Sequence, residues 1–316
     1  METRESKTAI VILGPTAAGK SRVAVELARQ LDGEVIGLDS RQIYRHMPVG
    51  TAQPAEKERG GIPHHLIGIR DPGEVISAGE YAHLVEETIK GVQERGNVPI
   101  VCGGSGLYYR ALTCGIFEES SSDLDIRKKL QAELEKKGVA KLLRRLRTVD
   151  PEYAKIVHPN NHKRLIRALE IHKITGKAPS DHFKSQQKRR SDDTIFSVYL
   201  RASLDFLEER IRRRTDEMLD RGWIEEVQSL MEMGVDQKFH PVDSLGYRQI
   251  MSYLDGTMNR DQMIERINIE TRQYAKKQLK WFDREKINLK LDLSKDRSLD
   301  DTVATIFDGF KMFGSS

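Results

Sequence analysis

Cysteine is scarce in this 316-residue chain: Cys102 and Cys114 are the only two. Two cysteines cannot build a disulfide scaffold, and the count suits a reducing compartment. They also cannot supply a four-ligand zinc site of the CxxC kind. Long apolar runs are absent as well. The first one, Ala9 to Leu13, follows the polar start METRESK and is too short for a secretory core or a membrane span. A cytoplasmic protein with no membrane partner is expected. There is no internal repeat and no low-complexity linker. Adjacent His64 and His65 lack the i, i+4 spacing of a helical metal pair, so they read as structural residues or loop contacts.

Charge is plentiful: 32% of residues are Asp, Glu, Lys or Arg, yet the net charge is only +4. Its distribution is uneven. From Asp123 to Arg190 there are 19 Lys or Arg against 8 Asp or Glu, a net +11, so the rest of the chain carries about −7. The basic segment has no strand-like run. It reads as helices broken by turns: DLDIRKKLQAELEKKG, VAKLLRRLRTVDP and NNHKRLIRALEIHKITG. Around it lie four compact apolar runs: TAIVIL at 8–13, GEVIGLDS at 33–40, VPIVCGG at 98–104 and TIFSVYLRA at 194–202. Strands alternating with helices predict an α/β domain with a parallel sheet. The division is a core of 1–122 and 194–316 with an all-helical insertion at 123–193. After the fourth strand the chain reads as helical to near its end.

The strongest motif is GPTAAGKS, from Gly14 through Pro15, Thr16, Ala17, Ala18, Gly19 and Lys20 to Ser21. It matches G-x-x-x-x-G-K-[ST] between a predicted strand and a predicted helix, the context a P-loop requires. Backbone N–H groups of such a loop cradle phosphate oxygens, and the helix N-terminus adds partial positive charge. Lys20 supplies a full charge, and the Ser21 hydroxyl is the candidate ligand for Mg2+. The loop recognises a di- or triphosphate, of which ATP is only the commonest case.

Asp39, in LDSRQIYR, falls at the carboxyl end of the second predicted strand. Ligands bind at that edge of open α/β sheets. It reads equally as a proton acceptor in the crevice or as a helix cap. Ser105, in GGSGLYYRAL, follows the third strand near the same edge, although taken alone this glycine turn reads as a tight strand-to-helix connection. The run Arg210 to Arg214 reads as a solvated face or as a lid bringing an arginine to a diphosphate. Near the C-terminus, Arg272, Lys276, Lys280 and Arg284 recur every four residues beside Trp281 and Phe282. That is a basic stripe suited to a phosphate backbone, or a solubilising face.

Together GPTAAGKS, DSRQIYR, GTAQP, PHHLI, GGSGLYYRAL, KRLIRALEIHKITG, SLGYRQI and TRQYAKKQLKWF resemble the bacterial tRNA dimethylallyltransferases, in order and spacing, from about Thr8 to Asp283. The resemblance implies a P-loop NTPase-like core, similar to small nucleotide kinases, with a helical insertion. It implies that the loop binds dimethylallyl diphosphate rather than ATP. The implied acceptor is N6 of the adenosine just 3′ of the anticodon, in tRNAs reading codons that begin with U. Asp39 would be the general base. Ser105 would contact the diphosphate or the target nucleotide, and Arg214 would stabilise the leaving diphosphate with Gly14–Ser21 and Mg2+. Ser40, Arg41 and Gln42 would hold the flipped base. The tRNA anticodon arm would be gripped by Arg127, by Lys163, Arg164, Leu165, Ile166 and Arg167, and by Asp243, Ser244, Leu245, Gly246, Tyr247 and Arg248. Lys276, Lys277, Gln278, Lys280 and Trp281 would complete the grip, with the chain acting as a monomer.

Three positions depart from the family pattern. Gln53 stands where lysine is frequent, Ser105 where threonine is usual and Lys277 where arginine is usual. The zinc finger of eukaryotic members is not expected with two cysteines and no C-terminal extension. Rival readings are a small-molecule or nucleotide kinase, an adenylate isopentenyltransferase acting on free nucleotide, and a nucleotide-switched RNA-binding module.

Overall fold

The structure is a computed structural model, and it describes residues 8–114, 123–182, 194–235, 239, 241–294 and 297–315. The chain divides into two compact units.

The first unit comprises residues up to Ile76, His83–Tyr109 and Asp192 onward. Its frame is a six-stranded sheet of β1 (Ala9–Leu13), β2 (Gly33–Leu38), β3 (His64–His65), β4 (Val98–Gly103), β5 (Ile195–Arg201) and β6 (Leu289–Asp292). The strand order is β3-β2-β4-β1-β5-β6, and every pairing is parallel. β1 is buried along its whole length, as its unbroken apolar sequence requires of a central parallel strand. The helices in chain order are α1 (Lys20–Leu31), α2 (Glu56–Arg59), α3 (Ala78–Glu94), α4 (Gly106–Cys114), α5 (Leu124–Lys137), α6 (Val139–Val149), α7 (Pro151–Ile156) and α8 (His162–Thr175). They continue with α9 (Leu204–Asp220), α10 (Trp223–Glu232), α11 (Tyr247–Leu254), α12 (Arg260–Phe282) and α13 (Leu299–Ser315). The core packs α1 (Val23, Ala24, Leu27) and α13 (Val303, Ile306, Phe310) with Ile10, Ile12, Ile100 and Val198 of the sheet. Each of the larger buried side chains, the valines, leucine, isoleucines and phenylalanine, contributes about 1.5–3 kcal/mol.

Two strands depart from the sequence reading. β3 is a two-residue edge strand containing both adjacent histidines. β6 interrupts the stretch expected to be helical, and it pairs Leu289–Asp292 with Val198–Arg201. Both are shorter than the window in which a period-two pattern stands out. His65 accounts for itself structurally. Its Nε2 lies 2.5 Å from the Glu34 carboxylate, which also accepts from Arg95 and from Asn97. Those bonds, the Arg95 pair foremost, hold the Glu34 carboxyl down at about 2.

The second unit comprises Ser77–Ala82 and Arg110–Ser191, so its edge falls inside α3 and α4 rather than at 123. Composition changes at 123, but α4 is already an unbroken helix across residue 110. Its core is built by Leu130 and Leu134 of α5, Leu142, Leu143 and Leu146 of α6, and Leu165, Ile166 and Leu169 of α8. Side-chain caps set the helix starts: Asp123 on α5, Asp150 with Pro151 on α7 and Asn161 on α8. Residues 183–193 of the expected insertion lie outside the described residues.

Candidate active site

Parallel register brings three loops to one level. Leu13 pairs with Gly103, and Gly103 pairs with Leu38, so β1, β4 and β2 end side by side. The chain leaves these ends as the Gly14–Ser21 loop, as Gly104 and Ser105, and as Asp39. One cavity of about 560 Å3 opens there.

The Gly14–Ser21 loop has the form of an anion cradle. Ala17 (φ 62°) and Gly19 (φ 86°) are left-handed, which turns successive N–H groups inward before α1 begins. The first N–H groups of α1 have no intrahelical partner and remain available to an anion. Lys20 donates from Nζ to the Pro15 carbonyl at 2.8 Å. Burial, set against the nearby Cys102 and Asp39 and helped by Arg214, pushes its ammonium down to about 8. A bound anion would favour its charged form.

Arg214 is half-buried in α9 and donates from Nη1 to the Thr16 hydroxyl at 3.1 Å. Arg210, Arg213 and Arg214 line the cavity together with Glu217, all on one helical face. Arg212 is exposed and pairs instead with Glu208, four residues earlier. Arg22, Lys57 and Arg221 add further cations to the lining.

Asp39 lines the same cavity, and its Oδ1 accepts from the Arg41 N–H at 2.9 Å. It caps a turn, not a helix, so the capping alternative holds in reduced form without removing the carboxylate from the cavity. The turn is braced by two glutamines. Gln42 donates to the Thr51 and Ala52 carbonyls at 3.2 and 2.8 Å. Gln53 donates to the Gln42 and Tyr44 carbonyls at 2.9 and 2.7 Å. A lysine could not make both of these contacts while remaining a free cation, so Gln53 here is a brace. The loop between them is tied down by Glu226, which accepts from the Val49 and Gly50 N–H groups and from Tyr247.

Several expected nucleic-acid contacts are placed otherwise. Leu165 and Ile166 are buried in the helical core, because α8 turns its apolar face inward. Tyr247 is fully buried and bonds Glu226 at 2.7 Å, and Gly246 is buried beside it. Gln278 is 7% exposed and bonds two cavity loops, so it is not an open contact. Arg127 and Arg167 both pair with Glu170, a carboxylate with no exposure, at 3.1 and 2.9 Å. Arg248 pairs with Asp243 and Glu270, and the Ser244 hydroxyl bonds the Pro241 carbonyl. Leu245 is half-buried. Trp281 lies against Gly106 at the start of α4. Ser105 precedes that helix and is not among the cavity-lining residues, whereas Gly103 and Gly104 are. Ser40 and Arg41 are half-buried in the Asp39 turn.

Lys163, Arg164, Lys276, Lys277 and Lys280 are exposed. The four-residue stripe on α12 is cut at both ends: Arg272 pairs with Glu208 at 2.5 Å, and Arg284 lies beyond the helix. At 100° per residue, Lys276 and Lys280 point away from the face bearing Tyr274 and Gln278, both of which line the cavity. Sequence reasoning missed Tyr274. It is 42% exposed and lines the cavity that Asp39 also lines. An aromatic residue within a basic helix gives no local signal of which wall it lines.

The fold and these loops define a P-loop α/β protein with an inserted helical unit, built to hold a phosphorylated ligand beside a carboxylate. A family model described as IPP transferase matches residues 42–285. A tRNA dimethylallyltransferase of Syntrophobacter fumaroxidans is 41% identical over 283 residues, 89% of this chain and 82% of that protein. One from Syntrophomonas wolfei is 41% identical over 277 residues, 87% and 88% of the two chains. The solved tRNA isopentenylpyrophosphate transferase of Bacillus halodurans is 34% identical with a TM-score of 0.69, covering 98% of each chain. A eukaryotic dimethylallyltransferase acting on tRNA is 31% identical with a TM-score of 0.81, covering 94% of this chain and 77% of that one. The chain belongs to the IPP transferase family, the tRNA dimethylallyltransferases.

Proposed function

We propose that this enzyme transfers the dimethylallyl group of dimethylallyl diphosphate to N6 of the adenosine 3′-adjacent to the anticodon, position 37, in tRNAs reading codons that begin with U. One observation carries the chemistry. Lys20, Arg214 and Asp39 line a single cavity at the carboxyl ends of three parallel strands. The diphosphate sits on the Gly14–Ser21 loop with Lys20 and Arg214. The adenine amine enters beside Asp39.

The amine is a poor nucleophile, because its lone pair is delocalised into the ring. Its nitrogen bonds to the allylic carbon as the carbon–oxygen bond breaks, and the electron pair leaves on the diphosphate. Lys20 and Arg214 meet that developing charge in a site where burial strengthens each contact. The proton leaves N6 for the Asp39 carboxylate, giving N6-dimethylallyladenosine and diphosphate. The base comes from an unpaired anticodon loop, so extruding it costs at most a few kcal/mol.

Mg2+ fits this donor set. Among the described residues no three acidic or metal-binding side chains cluster, and Mg2+ on a diphosphate needs few protein ligands. The Ser21 hydroxyl, which lines the cavity, would hold it. When bound it would neutralise diphosphate charge.

The exposed Lys163, Arg164, Lys276, Lys277 and Lys280 are proposed to meet phosphates of the anticodon arm, with the 123–193 insertion as a tRNA-binding domain. The described helices include none long and apolar enough to cross a membrane. We place the enzyme in the cytoplasm as a monomer. Labelled dimethylallyl diphosphate with unmodified tRNA and, separately, AMP tests the reading. Label should enter tRNA. Label entering AMP alone would make the protein a nucleotide prenyltransferase, and ATP turnover with no label in either would make it a kinase.

A further inference from the structure

Gln278 reaches the cavity from the far end of the chain. Its Oε1 accepts from the Thr16 N–H at 2.8 Å, across 262 residues of sequence. Its Nε2 donates to the Gly104 carbonyl at 2.9 Å. The side chain is 7% exposed. One amide therefore ties the phosphate loop after β1 to the loop after β4, and both partners are backbone groups. Gly104 leaves room for this: a Cβ there would collide with Gln278 Nε2. The neighbouring residues on α12 serve the same place. Ala275 packs with Ala18 of the phosphate loop and with Ile211 of α9, and Tyr274 lines the cavity.

The bond to Thr16 has a consequence for anion binding. Thr16 is the residue whose hydroxyl takes the Arg214 guanidinium, so Gln278 and Arg214 hold one residue through its backbone and its side chain. A loop that must present several N–H groups to one anion loses affinity when any part of it can rotate. A buried amide satisfied at both ends fixes such a loop with little freedom left.

We infer that Gln278 is a positioning residue for the diphosphate: it holds Thr16 and Gly104 in the phosphate-binding arrangement and does not read tRNA. This rests on the proposal that the Gly14–Ser21 loop holds the diphosphate. It replaces the tRNA contact expected of Gln278 from sequence.

The test measures, for Gln278→Met, the KM for dimethylallyl diphosphate, kcat, and the tRNA Kd by filter binding. Methionine keeps the volume and removes both hydrogen bonds. The diphosphate KM should rise about tenfold, the scale of two lost hydrogen bonds. The tRNA Kd should stay within about twofold, and kcat at saturating diphosphate should change less than KM. Gly104→Ala, which displaces the amide from the other side, should give the same pattern and covers the case in which Gln278→Met does not fold. An unchanged diphosphate KM in either folded variant, or a weakened tRNA Kd with KM unchanged, would overturn the inference. Lys20→Ala, run in parallel, separates the two layers. If it leaves diphosphate affinity intact, the loop assignment itself fails. If it abolishes affinity while Gln278→Met does nothing, only the role of Gln278 fails.

Discussion

The two units use the same basic side chains for different work. Around the cavity of the α/β unit, Lys20 and Arg214 are half-buried and line one space, and burial lowers the pKa of both. In the helical unit Lys163 and Arg164 stand in solvent, while Arg127 and Arg167 are held by Glu170. A partly desolvated cation gains more when an anion arrives, because some of its hydration has already been given up. A solvated cation gains little from any single anion and works by number, through released counterions. Net charge therefore locates the second kind of site and says little about the first. The helical segment carries the +11, yet the cavity proposed for group transfer is lined by residues from the remainder of the chain, which is negative overall.

That contrast can be broken by substitution. Among the cavity cations the largest effect should follow loss of Arg214: Arg214→Ala should lower kcat by about 10²–10³-fold, the range for removing one donor from a developing anion. Steady-state rates at saturating substrate measure it, and a change below about tenfold would place Arg214 outside the reaction. In the helical unit the same logic predicts structure, not chemistry. Leu165→Ala should cost about 3 kcal/mol in urea unfolding, as expected for a fully buried leucine. A folded Leu165→Ala protein that loses tRNA affinity instead would return that position to the interface.

Smaller effects refine the comparison. Glu170→Ala removes the acceptor shared by Arg127, Arg167 and the Asp123 N–H. It should cost about 2 kcal/mol of stability, because both arginines can still turn to solvent. If the freed arginines also tighten tRNA binding, Glu170 is restraining a basic surface. The last effect is a pH dependence. The Lys20 ammonium titrates near 8 in the ligand-free enzyme, and an anion binds the protonated form. Diphosphate affinity should therefore be constant below that value. Above it, affinity should fall up to about tenfold per pH unit, until the pKa of the complex is reached. Lys20→Arg should remove the inflection in a calorimetric titration. For stability the sign is opposite: a lysine whose folded pKa lies below its ordinary 10.5 weakens the fold at neutral pH, and that penalty fades as pH rises through about 8 towards 10.5.

The sheet and the phosphate loop were legible because their signals are local. An apolar β-branched run, the glycine loop and an amphipathic helix lie within Thr8–Leu31 and need no distant partner. The place of Asp39 at the cavity was legible through the rule that parallel strands end at the ligand edge. What escaped depended on contacts between remote segments. β6 is four residues long and exists because β5 offers an edge. Gln53 and Gln278 are ordinary polar residues in sequence, and their roles appear only when their amides meet backbone groups of other loops. The family resemblance pointed to whole segments. It could not separate Leu165 and Tyr247, which hold those segments in place, from Lys163 and Arg248, which face outward beside them.

The division between chemistry and grip is tested most directly by two variants measured side by side for single-turnover transfer and tRNA Kd. Asp39→Ala should slow transfer by about 10²–10⁴-fold, the range for a lost general base, with tRNA Kd nearly unchanged. Lys276→Ala with Lys280→Ala should do the reverse: transfer from the saturated complex near the wild-type rate, weaker tRNA binding, and a salt slope shallower by roughly one to two. If both proteins lose binding and transfer together, chemistry and grip are not separable on this molecule and the account is wrong.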